Sequence, residues 1–361
     1  MSVEEEIIEN TTTFYLRSRQ FNGLPLRNIM NVINLQKNEV KGILESLIQQ
    51  DKISLVFDDV HPNPHIKAFR EEPKEKQIEK LNTLSLEHAC VYPSPKYLKE
   101  VVDASKYEGE PFTLLLALGE PQLSFKSFDL SVLEIYRNDP RYSYVCNDIS
   151  GYICVSDKYL EGDDVPESDR ILLQTFGFAY DSEVNRAIAV FLRYLSFLSP
   201  QHQQIWNAKM LSGDYTLHPD YFKPSILGQF PDGISIFDAF IEELKCINDI
   251  CKLMHRSPLF KNELGGDQKP PAFGFLIRPT SKEYYEFIHL LDKLISENIN
   301  KDFFKKDVRS EDEQTRKDGK VVIRQKGTIQ MLDDWLKLSF ITEDRKPIED
   351  IYCSPLRKGL H

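Results

Sequence analysis

The sequence predicts an α+β, helix-rich chain: a helical head ending in strands, a small mixed or antiparallel sheet region, and a helical C-terminal body. Three observations carry this. Residues 21–69 switch from helical to alternating periodicity. Residues 112–180 hold short runs rich in β-branched and aromatic residues. From Val184 onward, apolar residues recur at helical spacing. The expected divisions are 1–72 for the head, 73–110 for a linker helix and turn, 111–182 for the mixed region, and 183–361 for the helical domain.

Val3, Ile7 and Phe14 predict a first helix. Leu24, Ile29, Met30 and Ile33 then give the apolar face of a short helix that Pro25 can open at its first turn. Val40, Ile43, Leu44, Leu47 and Ile48 fall at i, i+3, i+4, i+7 and i+8, a second helix. At Ile53, Leu55 and Phe57 the period becomes two, and Ile66 and Ala68 return on a second strand, with His61–His65 (HPNPH) at the tip. Helix, turn, helix and hairpin make a winged helix-turn-helix. The pattern resembles many bacterial winged-helix domains, in which the second helix enters a DNA groove and the wing touches backbone.

The resemblance implies nucleic acid as partner, DNA ahead of RNA. Between Thr11 and Arg70 eight basic residues stand against five acidic ones, in a chain of net charge −11. The residues that would carry binding are Lys37, Asn38 and Lys41 toward groove and phosphate, with Lys52, His61, His65 and Lys67 in the wing. Glu39 and Glu45 share the outward helix face, however, where they would oppose phosphates, and Gly42 weakens the helix. Winged helices also dock proteins, so a protein partner stands beside nucleic acid as an equal reading.

At 361 residues the chain exceeds one ordinary domain, and its 41% hydrophobic residues can bury a sizeable core. The negative balance argues against a nucleic-acid coat or an anionic-membrane binder. No apolar run approaches the roughly 20 residues that span a bilayer. The acidic start, MSVEEEIIEN, is unlike a signal peptide, so a cytoplasmic protein is expected. Cys90, Cys146, Cys154, Cys246, Cys251 and Cys353 show no zinc spacing and read as buried or inert thiols in a reducing compartment. Cys246 and Cys251 fall on different faces of one helix.

Beyond the head, residues 70–84 predict a charged connecting helix, and Tyr92–Leu98 (YPSPKYL) an extended turn with two prolines. Phe112–Gly119 is an apolar run of strand length; Ile149–Ser156 and Ile171–Tyr180 are further strands, and Gln122–Tyr136 alternates before turning helical or extended. Tyr136–Tyr142 is a turn whose Arg137 and Arg141 either clamp a phosphate or, the simpler reading, line a loop with Asp139. Val184–Ser199 reads as a helix stopped by Pro200, after which His202 and Trp206 pack at a helix surface. Ile236–His255 has the strongest helical repeat; Tyr284–Ile299 and Gly327–Phe340 follow, separated by a mixed-charge excursion at Lys305–Lys320.

FDLSVLEIYRNDPRY, FLRYLSFLSPQHQQIWNA and the helix pair closing near PIEDIYCSPLR resemble a group of large bacterial proteins of no assigned chemistry, over most of residues 110–357, with closing helices that look like the HEPN type of toxin and phage-defence ribonucleases. Active members carry Arg, four to six residues, then His; here Arg357 and His361 are separated by three, so no catalytic residue is carried across. A P-loop, a dinucleotide fingerprint, a nucleophile elbow and a zinc-protease motif are all missing. Pro62 and Pro64 keep His61 and His65 from a helical ligand pair, leaving wing-tip groups or a stiff exposed turn. Asp129, Glu134, Asp139 and Asp148 read as a charge run rather than a metal site. The expectation is an adaptor or nucleic-acid binder, its oligomeric state left open, with no cofactor, metal or chemistry of its own; a HEPN-like ribonuclease and a pure interaction module are the alternatives.

Overall fold

The computed structural model describes residues 2–33, 37–59, 61–161, 165–261, 273–274, 276–277, 280–315 and 320–346. The chain is α+β and helix-rich, with small antiparallel sheets, and it divides into compact units at Met1–Gly233 and Ile234–His361.

The first unit opens with α1 (Val3–Arg17), whose Ser2 and Glu5 cap each other in a capping box. It continues through β1 (Leu24–Pro25), α2 (Leu26–Ile33), α3 (Lys37–Gln49), β2 (Ile53–Val56), α4 (Lys74–Thr83) and β3 (Cys90–Pro93). The three strands form an antiparallel sheet in the order β1-β3-β2. Ile7, Leu26, Val40, Leu44, Leu47, Leu55, Leu81 and Val91 close one core beneath it.

This corrects the expected hairpin. The strand beside β2 is Cys90–Pro93, with Leu55 opposite Val91, and not Ile66–Ala68. The expected linker therefore supplies the central strand, and α4 packs on α3. The prolines misled: Pro93 ends the strand, and Ser94 caps α5 (Pro95–Val101), where Pro95 sits in the first turn. His61–His65 is no protruding tip either. It folds back on β1: Gly23 N–H donates to the His65 carbonyl at 3.2 Å, and Tyr92 OH donates to the Pro64 carbonyl at 2.9 Å. Gly23 is required there, since a Cβ would lie 2.3 Å from the Tyr92 ring.

Next come α6 (Pro111–Ala117), β4 (Phe125–Phe128), α7 (Glu134–Arg137), β5 (Tyr142–Cys146), β6 (Ser150–Val155), α8 (Asp157–Leu160), β7 (Leu172–Tyr180) and β8 (Arg186–Phe191). Strands β4 to β8 form an antiparallel sheet in the order β4-β8-β7-β6-β5; β7 also pairs with β9 (Thr216–Leu217), beyond α9 (Leu192–Leu195) and α10 (Pro200–Asn207) and ahead of α11 (Pro219–Phe222). Two expectations fall here. The run at Phe112–Gly119 is helical, because Pro111 opens it and Gly119 ends it at φ 93°; an unbroken apolar run carries no period to tell the two apart. Val184–Phe191 is mostly strand, since Ala187–Phe191 is buried on both sides, so β7 and β8 pair across the expected 182/183 division.

Gln122 ties the head to this sheet. It is 2% exposed and almost every bond it can make is used. Its Oε1 accepts from Lys67 N–H at 2.5 Å, and its Nε2 donates to the carbonyls of Gln20 at 3.0 Å and Phe21 at 2.9 Å. Its own N–H donates to the Lys67 carbonyl, and its carbonyl accepts from Arg193 N–H. Tyr15, buried in α1, adds a bond from its hydroxyl to the Leu116 carbonyl at 2.5 Å.

The second unit holds α12 (Ile236–Leu253), α13 (Ser281–Asp292), a hairpin of β10 (Glu311–Thr315) and β11 (Val321–Gln325), and α14 (Thr328–Ser339). The mixed-charge excursion is thus in part a β-arm, which hydrogen-bonds its own backbone without needing a core. Ile241, Leu244, Cys251, Phe304, Met331 and Leu336 lie in the core of this unit.

Gln122→Leu strands one backbone donor and two acceptors in the interior, at about 1–3 kcal/mol each. Urea unfolding should show a loss of about 3 kcal/mol or more, while exposed Gln229→Leu stays within about 0.5 kcal/mol. Equal effects of the two would remove Gln122 as the tie.

Candidate functional site

Helix α3 is amphipathic, and its buried face of Val40, Leu44, Leu47 and Ile48 fixes what it shows outside. Asn38, Glu39, Gly42 and Gln49 are exposed. Lys41 is half-buried and turned toward α4, where its Nζ donates to the Asn82 carbonyl at 3.4 Å. On the other side Ser46 Oγ donates to Glu4 of α1 at 3.4 Å. The Lys37 side chain lies outside the described residues. The face between α1 and α4 is therefore narrow and carries Glu39.

The remaining residues expected to contact nucleic acid are dispersed. Lys52 lies past the end of α3, in the turn that folds back on Leu47; it pairs with Glu100 at 3.4 Å and sits 4.7 Å over the Tyr97 ring. His61 accepts from Asn63 N–H at 3.1 Å within its own turn. His65 is half-buried, its Nδ1 3.4 Å from the Gly23 carbonyl oxygen. Lys67 is buried, not surface-directed: its ammonium donates to Glu71 at 2.8 Å and to the Gly119 carbonyl at 3.2 Å. Of the seven, only Asn38 and Lys41 share one described element face.

Other lysines of the head are also neutralised. Lys74 and Lys96 both hold Asp51, whose carboxyl these two partners keep below the usual range, and Lys80 bridges Asp59 and Glu72. With α4 and β3 included, residues 3–93 hold eleven Lys and Arg against fourteen Asp and Glu. The positive balance of residues 11–70 is reversed by the segments that complete the fold.

A concavity of the head lies between α1 and α2. It has a volume of about 570 Å³, with Ile7, Leu24 and Ile29 as floor. Asn10, Thr13, Phe14 and Arg17 line one wall at i, i+3, i+4 and i+7, and Asn28 lines the other. Phe14 is 38% exposed there, and Arg17 makes no ion pair among the described residues. Periodicity placed Phe14 on α1 but could not show that its ring stays partly exposed in this groove.

Two buried constellations look catalytic on paper. Cys90 Sγ lies 3.6 Å from His65 Nδ1, but burial pushes the thiol up to about 12, against the weaker pull of Arg27, so no thiolate forms near neutral pH. His202 and Trp206, expected at a helix surface, are both interior. The Trp206 indole N–H donates to Tyr136 OH at 2.9 Å, and that hydroxyl lies 3.0 Å from His202 Nδ1. Arg141 forks onto Asp139 and reaches Asp169 at 2.9 Å, so it lines a loop instead of an open anion site. Among the described residues no group of three His, Cys, Asp or Glu could hold a metal, and no helix is long and apolar enough to cross a membrane. Arg357 and His361 lie outside the described residues.

Comparison with family models, with curated proteins and with solved structures gives no match for this chain.

Burial lowers the His202 pKa below its ordinary value, against the opposing pull of Asp169. The unfolded chain takes up that proton first, so the stability it brings is full above about pH 6.5 and declines as pH falls below it. Unfolding of His202→Asn between pH 8 and 5 should show a flatter decline than the native chain. An unchanged slope would absolve His202.

Proposed function

We propose that this protein is a regulatory adaptor of the cytoplasm, with a winged helix-turn-helix head that docks a segment of a partner protein. The sequence α1-β1-α2-α3-β2-β3 with the sheet order β1-β3-β2 supports the winged-helix reading, α4 being an insertion within the wing. Free thiols at Cys90, Cys146, Cys154, Cys246 and Cys251 suit a reducing compartment.

The observation that carries the choice of protein over nucleic acid is where the head keeps its open apolar surface and its charge. Winged helices that read DNA need a cationic helix and wing against phosphate. Here the lysines described on those elements are paired or buried, and the head is acidic overall. The open surface is the α1–α2 groove: an apolar floor, a half-exposed Phe14, amides at Asn10 and Asn28, and one cation, Arg17, at one end. That arrangement suits a short amphipathic segment with apolar anchors on the floor and a carboxylate against Arg17.

Labelled short peptides with Leu and Phe anchors, with and without Asp or Glu, test this beside a labelled duplex and a single-stranded RNA over a salt series. Acidic amphipathic peptides should bind at micromolar concentration and lose about tenfold or more in both Phe14→Asp and Arg17→Glu. Peptide binding indifferent to those variants, or salt-steep duplex binding lost in Lys37→Glu and Lys41→Glu, would overturn the reading.

A further inference from the structure

A cleft of about 420 Å³ lies where the segment after the folded-back turn meets α5 and the end of α6. That is the size of an ordinary small-molecule site. Its floor is set by Lys67, whose backbone N–H and carbonyl both bond to Gln122 and whose side chain runs into the interior. An ammonium has three donors. Two are placed, on Glu71 at 2.8 Å and on the Gly119 carbonyl at 3.2 Å. The third has only the face of the Tyr92 ring, 5.9 Å away, as a weak partner among the described residues. Gly119 and Pro121 are buried beside Lys67, and Pro95, Leu115 and Leu118 are half-buried walls. Arg70 and Lys99 line the same cleft from different elements and are exposed, which puts them at its mouth. Lys52, Lys74, Lys80 and Lys96 of this unit each hold a carboxylate. The Arg70 and Lys99 side chains hold none among the described residues.

We infer that this cleft binds a small organic monocarboxylate with an apolar body. The charge of the lining selects the monoanion. Lys67, Arg70 and Lys99 stand against Glu71 and Glu120, a surplus of one positive charge. A phosphate dianion would exceed that surplus and face both carboxylates, whereas a neutral molecule would leave Arg70 and Lys99 unmatched. The guanidinium of Arg70 presents the fork that fits a carboxylate, and Lys99 adds a second charge on a flexible stem. The hydrocarbon leaves water against Leu115, Leu118 and the two prolines. Lys67 is the fixed charge of the floor, held in place by Gln122 before any ligand arrives. Its spare donor serves the ligand, so the bond to Glu71 stays intact.

The test titrates the full chain with butyrate, pentanoate and hexanoate, following the NMR signals of each acid. Hexanoate should saturate with a Kd below about 1 mM. Affinity should rise about threefold with each added methylene, the mark of an apolar wall. Hexanamide and inorganic phosphate should each bind about tenfold more weakly than hexanoate. Arg70→Glu and Lys99→Glu, both at exposed positions, should each weaken hexanoate about tenfold while the circular dichroism spectrum and Tm of the free chain stay unchanged. Exposed Lys158→Glu, on α8, should leave hexanoate binding as it is, and so should Phe14→Asp in the α1–α2 groove, which keeps this site separate from peptide docking. No saturation by hexanoate, equal binding of hexanamide or phosphate, an affinity flat along the series, or binding indifferent to both Arg70→Glu and Lys99→Glu would overturn the proposal.

Discussion

The first unit depends on one buried amide. Gln122 is held from three separate stretches of chain: the loop after α1, the segment that returns from the folded-back turn, and the first turn of α9. A buried amide has two donors and a carbonyl oxygen to satisfy, and a site that satisfies them fixes its neighbours in place. The head is therefore not a bead on a tether. Tyr15 repeats the logic with one bond to the Leu116 carbonyl, and Arg193 reaches Gln20 at 2.9 Å. Anything that binds α1 is coupled through Tyr15 to α6 and through the loop after α1 to Gln122.

That attachment changes the meaning of the head's charges. In a free winged domain, a lysine near the wing has only solvent and phosphate as partners. Here Lys67 is drawn inward to Glu71 and Gly119 because the segment it sits on must reach Gln122. The segment that leads through α4 to β3 also brings Glu71, Glu72, Glu75 and Glu79. Exposed ion pairs such as Lys52–Glu100 are individually weak and could exchange a carboxylate for a phosphate. A buried lysine cannot do so without leaving its cavity, and the net sign of the head cannot change at all.

Much of this fold was legible, and the failures share a cause. Helices with one buried face announced themselves: α1, α3, α12 and α14 follow their apolar spacing. Ser150–Val155 and Leu172–Tyr180 were legible as strands through their β-branched and aromatic content. Continuous apolar segments were not, because they have no polar face to reveal a period. Phe112–Ala117 and Ala187–Phe191 exchanged helix and strand for that reason. The head's missing strand was hidden differently: Cys90–Pro93 pairs with β2 across more than thirty residues, and no local pattern encodes a pairing at that distance. Of the expected site, Asn38 and Lys41 share a helix as periodicity required. The fates of His65 and Lys67 depended on tertiary contacts with Gly23 and Gly119, which no spacing shows.

The same limit has a constructive side at α12. Its repeat reads strongly because two apolar stripes are superposed, one for its own core and one left at the surface. A sequence scan registers their sum as a single strong helix. Only the burial of Ile241 and Leu244 beside the exposure of Ile250 and Leu253 separates the two. Solvent-facing positions that serve nothing drift toward polar residues, since exposed leucine adds no stability and invites association.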